Sequence, residues 1–334
     1  MIEQVVNYLS NLININTTTD SNNETEGVLY IKKVFDEIGI ENKIYEPVPN
    51  KGNLYATIRG ENQESILLHS HIDTANYSEE NWLFPPDKAT IVNNCVVGRG
   101  TLDCKGLIAI WMAIMKNIYL SDKKPKNTII FLCACDEESD GEYGTKWIID
   151  NTNILDDVKL VFGESGGYPI TLNNNIYFTI QTGEIYMDSE EINNTNYTPD
   201  KIDEIFSKAI EMGYYNQNTL EFYNKRHLQT KRKIPNRYFY ENVDILLNKS
   251  HTFNHELIFN LIQKELAGYK LLPVITPGYS DNRLFREKGI PTLGFFPLDI
   301  KNNISGIHGA NEYISFKSLK FSYDILAKII YHIL

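Results

Sequence analysis

The sequence predicts an α/β protein built on a doubly wound, mostly parallel sheet. Three apolar runs are typical of buried strands: Ile66–Leu68, Thr128–Cys135 and Val158–Phe162. They alternate with segments whose apolar residues recur at helical spacing, and this alternation favours a parallel sheet covered by helices. The segment 106–120 is apolar almost all round and therefore predicts a buried helix.

The other elements are predicted in chain order. Apolar positions at helical spacing indicate a first helix over 2–13 and a second over 24–38, which Gly39 ends. Short strands are expected near 42–45 and 54–58, before the strand that ends at His71. A closing helix is predicted over 315–333.

The middle of the chain has a different composition. Residues 183–268 are polar, rich in Asn and Tyr, helical near 199–212 and 252–266, and lack a buried-strand run. With 334 residues, the chain is long enough for one large domain or two ordinary ones. We therefore expect residues 1–182 and 269–334 to form the main domain and residues 183–268 to form a smaller inserted domain.

Charge and composition exclude several classes of protein. The 32 basic and 43 acidic residues give a net charge of −11, which argues against a nucleic-acid-binding protein. No apolar stretch approaches ~18 residues, so a membrane span is not expected. The first residues, Met1–Leu9, lack the basic start and apolar core of a signal peptide. The four cysteines, none in a Cys-x-x-Cys pair, favour buried reduced thiols and a cytoplasmic location.

Residue types that bind metals follow the predicted strands, at the points where the strands end. They are His71 with Asp73, Glu137 with Glu138, Glu164, and His308 beyond the apolar run Pro291–Phe296. In an open α/β sheet, ligands bind outside the carboxyl ends of the strands. We therefore expect these groups to converge on a divalent metal site, most simply a pair of metals.

Each part of this pattern has an ordinary alternative. His71 and Asp73 face the same side of an extended segment, so Asp73 could accept the other ring N–H of a metal-bound His71, or the two could be a buried polar pair. Asp103, before the long helix, could bridge two metals or cap the helix. Adjacent Glu137 and Glu138 project differently, so one could bind metal and the other act as a general base, unless both lie in a solvated acidic turn.

The combined pattern resembles the M20 family of metallopeptidases, the co-catalytic zinc amidohydrolases that include acetylornithine deacetylases, succinyl-diaminopimelate desuccinylases and carboxypeptidases of the G2 type. The matching segments lie in 1–182 and 271–334 and run in family order: Leu67–Thr74, Trp82 with Pro85–Pro86, Gly98–Gly106, Asp136–Glu138, Gly163–Glu164, Ser280–Arg283, Gly289–Pro291, and His308 with Asn311–Tyr313.

The resemblance implies a role for each matching residue. His71 and Glu164 would hold one metal, Glu138 and His308 the other, and Asp103 would bridge them. The two divalent ions would be zinc, with Co²⁺ or Mn²⁺ as substitutes. The resemblance also implies a cis peptide bond between Asp103 and Cys104.

It further implies the groups that act on a substrate. Asp73 would orient His71, and Glu137 would be the general base and acid. Arg283 would lie near a substrate carboxylate, although a surface salt bridge is an equal alternative.

The expected activity is hydrolysis of the amide bond of an N-acyl amino acid or small peptide by metal-activated water. One alternative is the release of an amino acid from an acidic carrier protein, which the basic run Lys225–Lys233 could contact. The other is a non-catalytic binding protein on the same fold. Nucleic-acid and membrane partners are not expected, whereas a homodimer is consistent with the resemblance.

The inserted domain corresponds to the lid of this family but departs from it. The family's lid often carries a histidine that helps polarise the scissile carbonyl, and no histidine occurs here between His71 and His227. We interpret His227, His251 and His255 as surface residues and the lid as atypical.

Overall fold

The computed structural model describes residues 1–121, 123–139, 141–172, 175–185, 255–266, 268–277 and 280–334. Within these ranges, nine strands form the main sheet and three short strands form a second one. The twelve strands are β1 (Glu41–Tyr45), β2 (Asn53–Ile58), β3 (Ser65–His71), β4 (Thr90–Val92), β5 (Cys95–Val97), β6 (Thr128–Ala134), β7 (Val158–Gly163), β8 (Pro169–Leu172), β9 (Asn175–Ile185), β10 (Lys270–Pro277), β11 (Thr292–Gly294) and β12 (Tyr313–Ser315).

Helices lie between the strands of the described ranges. They are α1 (Ile2–Ile13), α2 (Glu24–Ile38), α3 (Lys105–Tyr119), α4 (Thr145–Asn151), α5 (His255–Glu265), α6 (Asn282–Glu287) and α7 (Phe316–Ile333). Gly39 ends α2 with φ +94°, a left-handed conformation that glycine adopts at little cost. Among the described helices, none is long and apolar enough to cross a membrane.

The main sheet has the order β1-β2-β6-β3-β7-β11-β9-β10, with β8 beside β9. The central strands β6, β3, β7 and β11 are parallel, so β3, β6 and β7 end at the same edge. At the flanks, β2 is antiparallel to β6, and β9 is antiparallel to β11. The predicted α/β sheet is confirmed, and its antiparallel pairs are confined to the outer strands.

Two apolar layers cover the two faces of the sheet. Leu68 and Phe131 belong to the larger layer, which contains the buried faces of α1, α2, α3 and α7. Leu67 and Ile130 point to the other face, where they pack with residues of α4 and α6. Alternate residues of β3 and β6 therefore serve opposite layers, as doubly wound sheets require. Helix α3 is buried along almost its whole length, as its composition predicts.

Two features of the fold differ from the sequence prediction. The run Pro291–Phe296 contributes only the three-residue strand β11, because Gly294 already pairs with antiparallel β9 and the chain then turns away. The small sheet β12-β5-β4 was not predicted, because strands of three residues carry too little periodicity to recognise.

The predicted insert is described only at its two ends. Strand β9 continues to Ile185 in the main sheet, and α5 buries Ile258 and Ile262 in the large apolar layer. Residues 186–254, which include His227, His251, the predicted helix over 199–212 and the basic run Lys225–Lys233, lie outside the described residues. The inserted domain therefore stays a prediction.

Candidate metal centre

His71 is the last residue of β3, and its ring is held in one tautomer. The Nδ1–H donates to the backbone carbonyl of Asp73 at 3.0 Å. Because a carbonyl can only accept, the Nδ1 atom carries the proton and the Nε2 atom is the free coordinating position. That Nε2 atom lies 3.1 Å from Asp103 Oδ1 and 3.1 Å from Glu164 Oε2.

Asp103 lies between the two imidazoles. Its Oδ1 faces His71, and its Oδ2 lies 3.1 Å from His308 Nε2. The alternative role as a helix cap does not apply, since the N-cap of α3 is Cys104. The Asp103–Cys104 peptide bond is cis, as the resemblance implies.

Glu138 and His308 form the other half of the cluster. The Oε2 atom of Glu138 lies 3.0 Å from His308 Nε2, and its Oε1 accepts the backbone N–H of Ala75 at 3.0 Å. Asp103, Glu138 and His308 present ligand atoms that all lie within 4.8 Å of one another.

Asp73 lies against His71 with both its backbone carbonyl and its carboxylate. Its carboxylate Oδ1 is 3.5 Å from His71 Nδ1, and the backbone carbonyl takes that hydrogen bond instead. The Oδ2 atom accepts the backbone N–H of Glu138 at 2.8 Å. Asp73 therefore contacts His71 through its main chain and Glu138 through its side chain.

Glu137 lies in the same cluster but has different neighbours from Glu138. Its Oε2 lies 3.8 Å from His71 Nε2, and the residue is only 9% exposed. Burial and the nearby charge of Glu164 raise the pKa of the Glu137 carboxyl well above its usual value. A carboxyl whose pKa is raised in this way suits a general acid and base.

The cluster concentrates negative charge in a buried place. Burial raises the pKa of Glu164 to about 7, and hydrogen bonds to the carboxylates of Asp103 and Glu138 raise the pKa of His308 to about 10. Buried charges need compensation by partners or by a cation. A bound divalent cation would supply that compensation.

The donor set fits two divalent cations. Each imidazole has two carboxylate oxygens at 3.0–3.1 Å. Metal–ligand distances of ~2.0–2.2 Å in a tetrahedral site separate neighbouring ligand atoms by about 3.3–3.6 Å. Small shifts would therefore admit a cation on each side of Asp103, in a set of histidine and carboxylate ligands that suits zinc.

Arg283 lies in the first turn of α6, and its Nη1 donates to the backbone carbonyl of Ser280 at 3.1 Å. The guanidinium is partly buried. Its contact with a substrate carboxylate stays a prediction.

A buried series of hydrogen-bonded side chains beside the cluster was not predicted from the sequence. The Thr145 hydroxyl donates to Asp281 Oδ2 and lies 2.8 Å from His69 Nε2. Asp281 is 1% exposed, and burial raises its pKa to about 6. These contacts join the first residue of α4, which follows the loop that carries Glu137, to β3 and to the N-cap of α6. Asp281 belongs to a matching segment, but no spacing in the sequence links it to Thr145.

Comparisons with known proteins identify the family of this chain. Residues 67–332, which include every predicted ligand, match the profile of Peptidase family M20/M25/M40. A probable succinyl-diaminopimelate desuccinylase of Staphylococcus aureus (strain MRSA252) is 30% identical over 158 residues, which are 47% of this chain and 37% of that relative. An N-formyl-4-amino-5-aminomethyl-2-methylpyrimidine deformylase of Halalkalibacterium halodurans is 32% identical over 128 residues, 37% of this chain and 30% of that relative. The matched stretches thus span less than half of the relatives' lengths.

Solved structures with the same fold include an M20 family metallo-carboxypeptidase from Sulfolobus solfataricus, with a TM-score of 0.64 and 15% identity over 99% of this chain and 100% of that one. Human carnosine dipeptidase 1 gives a TM-score of 0.62 at 12% identity over 100% and 99% of the two chains. At these identities the likeness concerns the fold. Together with the family profile over most of the sequence, it places this chain in Peptidase family M20/M25/M40.

Proposed function

We propose that this protein is a two-metal hydrolase that cleaves the amide bond of an N-acyl amino acid or small peptide. The observation that carries the proposal is the position of Asp103, whose two oxygens each lie 3.1 Å from a different imidazole. Glu137 lies beside this pair as a buried carboxyl with a raised pKa. The relatives named desuccinylase and deformylase, and the structures named dipeptidase and carboxypeptidase, support an amide-cleaving reaction.

The predicted site residues have two functions, which are to hold the cations and to transfer protons. His71 and Glu164 would hold one cation, His308 and Glu138 the other, and Asp103 both. When bound, two zinc ions, or Co²⁺ or Mn²⁺ in their place, supply Lewis acidity that polarises the substrate carbonyl and lowers the pKa of water.

Glu137 performs the proton transfers. As a base it takes a proton from the attacking water, and as an acid it passes that proton to the leaving amine. Its burial raises the pKa of the carboxyl, so it holds a transferred proton more readily than an exposed glutamate does.

Turnover measurements on metal-loaded protein test the proposal. The wild type, loaded with two equivalents of Zn²⁺ or Co²⁺, is incubated with N-acetyl, N-succinyl and N-formyl amino acids and with dipeptides, and the released amine is quantified. The same protein treated with a chelator is the control. We expect metal-dependent release from at least one class. Full metal occupancy with no release from any class would favour the alternative of a binding protein on this fold.

Hydrolysis of an amino acid attached to an acidic carrier protein is a narrower alternative that the same assay can include. The basic run Lys225–Lys233, which suggested it, lies outside the described residues. A homodimer and a cytoplasmic location also stay predictions.

A further inference from the structure

Glu312 is a buried carboxylate that the proposed reaction does not use. Its side chain is 0% exposed. The Oε1 atom accepts the backbone N–H of Leu102 at 2.7 Å and that of Asp103 at 3.3 Å. The Oε2 atom accepts the backbone N–H of Gly100 at 3.0 Å and Nη1 of Arg99 at 2.7 Å.

All of these donors belong to one loop. Residues 99–103 lead from β5 to α3, and the loop ends at Asp103, the predicted bridging ligand. The Thr101 hydroxyl, 3.4 Å from Oε1, comes from the same loop. Glu312 thus satisfies several loop donors with a single side chain, which fixes the path of the backbone into Asp103.

Glu312 itself belongs to the segment that carries His308. It lies four residues after His308 and directly before β12, which pairs with β5. Arg99 reaches back into this segment through Nη2, which donates to the carbonyl of Gly309 at 3.0 Å. The backbone is also joined, since Gly98 N–H donates to the carbonyl of Glu312 at 3.0 Å. The Glu312 carboxylate therefore connects the loop of Asp103 to the segment of His308.

The two predicted metal positions depend on this connection to different degrees. His71 ends β3 and Glu164 directly follows β7, so the parallel strands of the main sheet set their distance. His308 lies outside helices and strands, has φ +57° and a side chain that is 55% exposed. Its distance to Asp103 depends on how the two loops are joined.

We propose that Glu312 is a positioning residue that sets the spacing of Asp103 and His308 and thereby the affinity of the second metal position. The inference rests on the proposed two-metal function and deepens it. It assigns to one carboxylate the selective control of the Glu138–His308 position, with little effect on the His71–Glu164 position.

Titration of the metal-free protein with Co²⁺ tests the inference. Binding is followed by equilibrium dialysis and by the visible absorption of bound Co²⁺. Glu312→Gln keeps the size of the side chain but removes the charge and places an amide NH₂ against backbone N–H groups. We expect the wild type to bind two equivalents of Co²⁺. The variant should bind the second equivalent at least tenfold more weakly than the wild type does, whereas its affinity for the first equivalent should stay within about threefold of the wild-type value. Glu312→Asp should lie between them, since its carboxylate is retained but set back by one methylene.

Glu184→Gln is the matched control. Glu184 is 3% exposed and accepts hydrogen bonds from Arg286 and Ser280, so its loss should destabilise the fold comparably. It lies on β9 and not on either loop, and both Co²⁺ affinities should stay at wild-type values. Arg99→Lys keeps the charge but replaces the two nitrogens that contact Glu312 and Gly309 by one, and it provides a second variant should Glu312→Gln fail to fold. Arg99→Lys should selectively weaken the binding of the second equivalent of Co²⁺.

Three results on the variants would overturn the inference. The first is that Glu312→Gln or, if that variant does not fold, Arg99→Lys binds both equivalents of Co²⁺ with wild-type affinity. The second is that the substitution weakens the binding of both equivalents equally. The third is that Glu184→Gln shows the same selective loss of affinity for the second equivalent. Wild-type protein that binds only one equivalent would also overturn it. Because no turnover is measured, a wild type that binds two equivalents but hydrolyses no amide would count against the proposed function alone.

Discussion

The carboxylate of Asp73 accepts the backbone N–H of Glu138 at 2.8 Å, while the carbonyl of the same Asp73 accepts the ring N–H of His71. One residue thus contacts a predicted ligand of each metal position. Its other oxygen, Oδ1, is buried and without a hydrogen-bond partner among the described residues. Burying such a carboxylate costs free energy in a metal-free protein, and cations bound nearby would offset that cost.

Asp73→Asn should therefore weaken metal binding while leaving the carbonyl contact with His71 in place. Changes in groups that orient metal ligands cost about 10–100-fold in affinity, and we expect a loss in this range for both positions. Equilibrium dialysis with Zn²⁺ gives the affinities. Asp87→Asn, which makes the same change at a half-buried carboxylate outside the cluster, is the control. Unchanged affinity in Asp73→Asn would show that its charge is not needed.

Glu137 and Glu138 should respond differently to the same substitution. Glu137→Gln should keep both metals and lose turnover by ~10²–10⁴-fold, the usual contribution of a general acid–base group. Glu138→Gln should lose one metal, because its carboxylate lies 3.0 Å from His308 Nε2. Elemental analysis of the metal content and turnover measurements on the same samples distinguish the two roles. Equal metal loss in both variants would mean that the two roles are wrongly assigned.

The buried parallel strands, and the predicted metal ligands at their carboxyl ends, could be predicted because a continuous apolar run indicates such a strand and shows where it ends. His71 and Glu164 directly end such strands, and Glu138 follows one within four residues, so the parallel sheet brings them to one edge. The acceptor for the His71 ring could not be predicted, since it depends on how the chain turns after β3. Glu312 could not be given a role either, because its partners lie about 210 residues away.

The core makes a separate prediction about stability. Leu68 lies in β3, is 0% exposed and packs in the larger apolar layer. Leu68→Ala should lower the free energy of unfolding by about 2–5 kcal/mol, through lost burial and a residual cavity. Leu83, which is 81% exposed, is the matched control, and Leu83→Ala should change the free energy by no more than ~0.5 kcal/mol. Urea unfolding of the metal-free proteins measures both. Similar values for the two variants would contradict the described burial of β3.

The last prediction concerns Lys105, whose side chain is only 2% exposed. Its Nζ donates to the carbonyls of Leu12, in the last turn of α1, and Ile15, just after that helix, at 3.0 and 2.9 Å. Burial lowers the pKa of Lys105 from 10.5 to about 7, against the opposing charges of Glu312 and Asp73. Between these two values the unfolded chain holds a proton that the folded protein has released. The unfolded state then binds more protons, so the contribution of Lys105 to stability rises with pH.

Lys105→Met removes this titration but keeps the length of the side chain. The free energy of unfolding of the wild type minus that of the variant should therefore increase from pH 7.5 to pH 9, by at most ~1.4 kcal/mol per pH unit. Below pH 7 both states hold the proton, so the cost of the buried ammonium is fully present and the difference should level off. Urea unfolding with a chelator present measures the difference, and Lys126→Met, at an exposed lysine, should show no such slope. A flat difference for Lys105→Met would show that the two carbonyls keep the ammonium charged inside the fold.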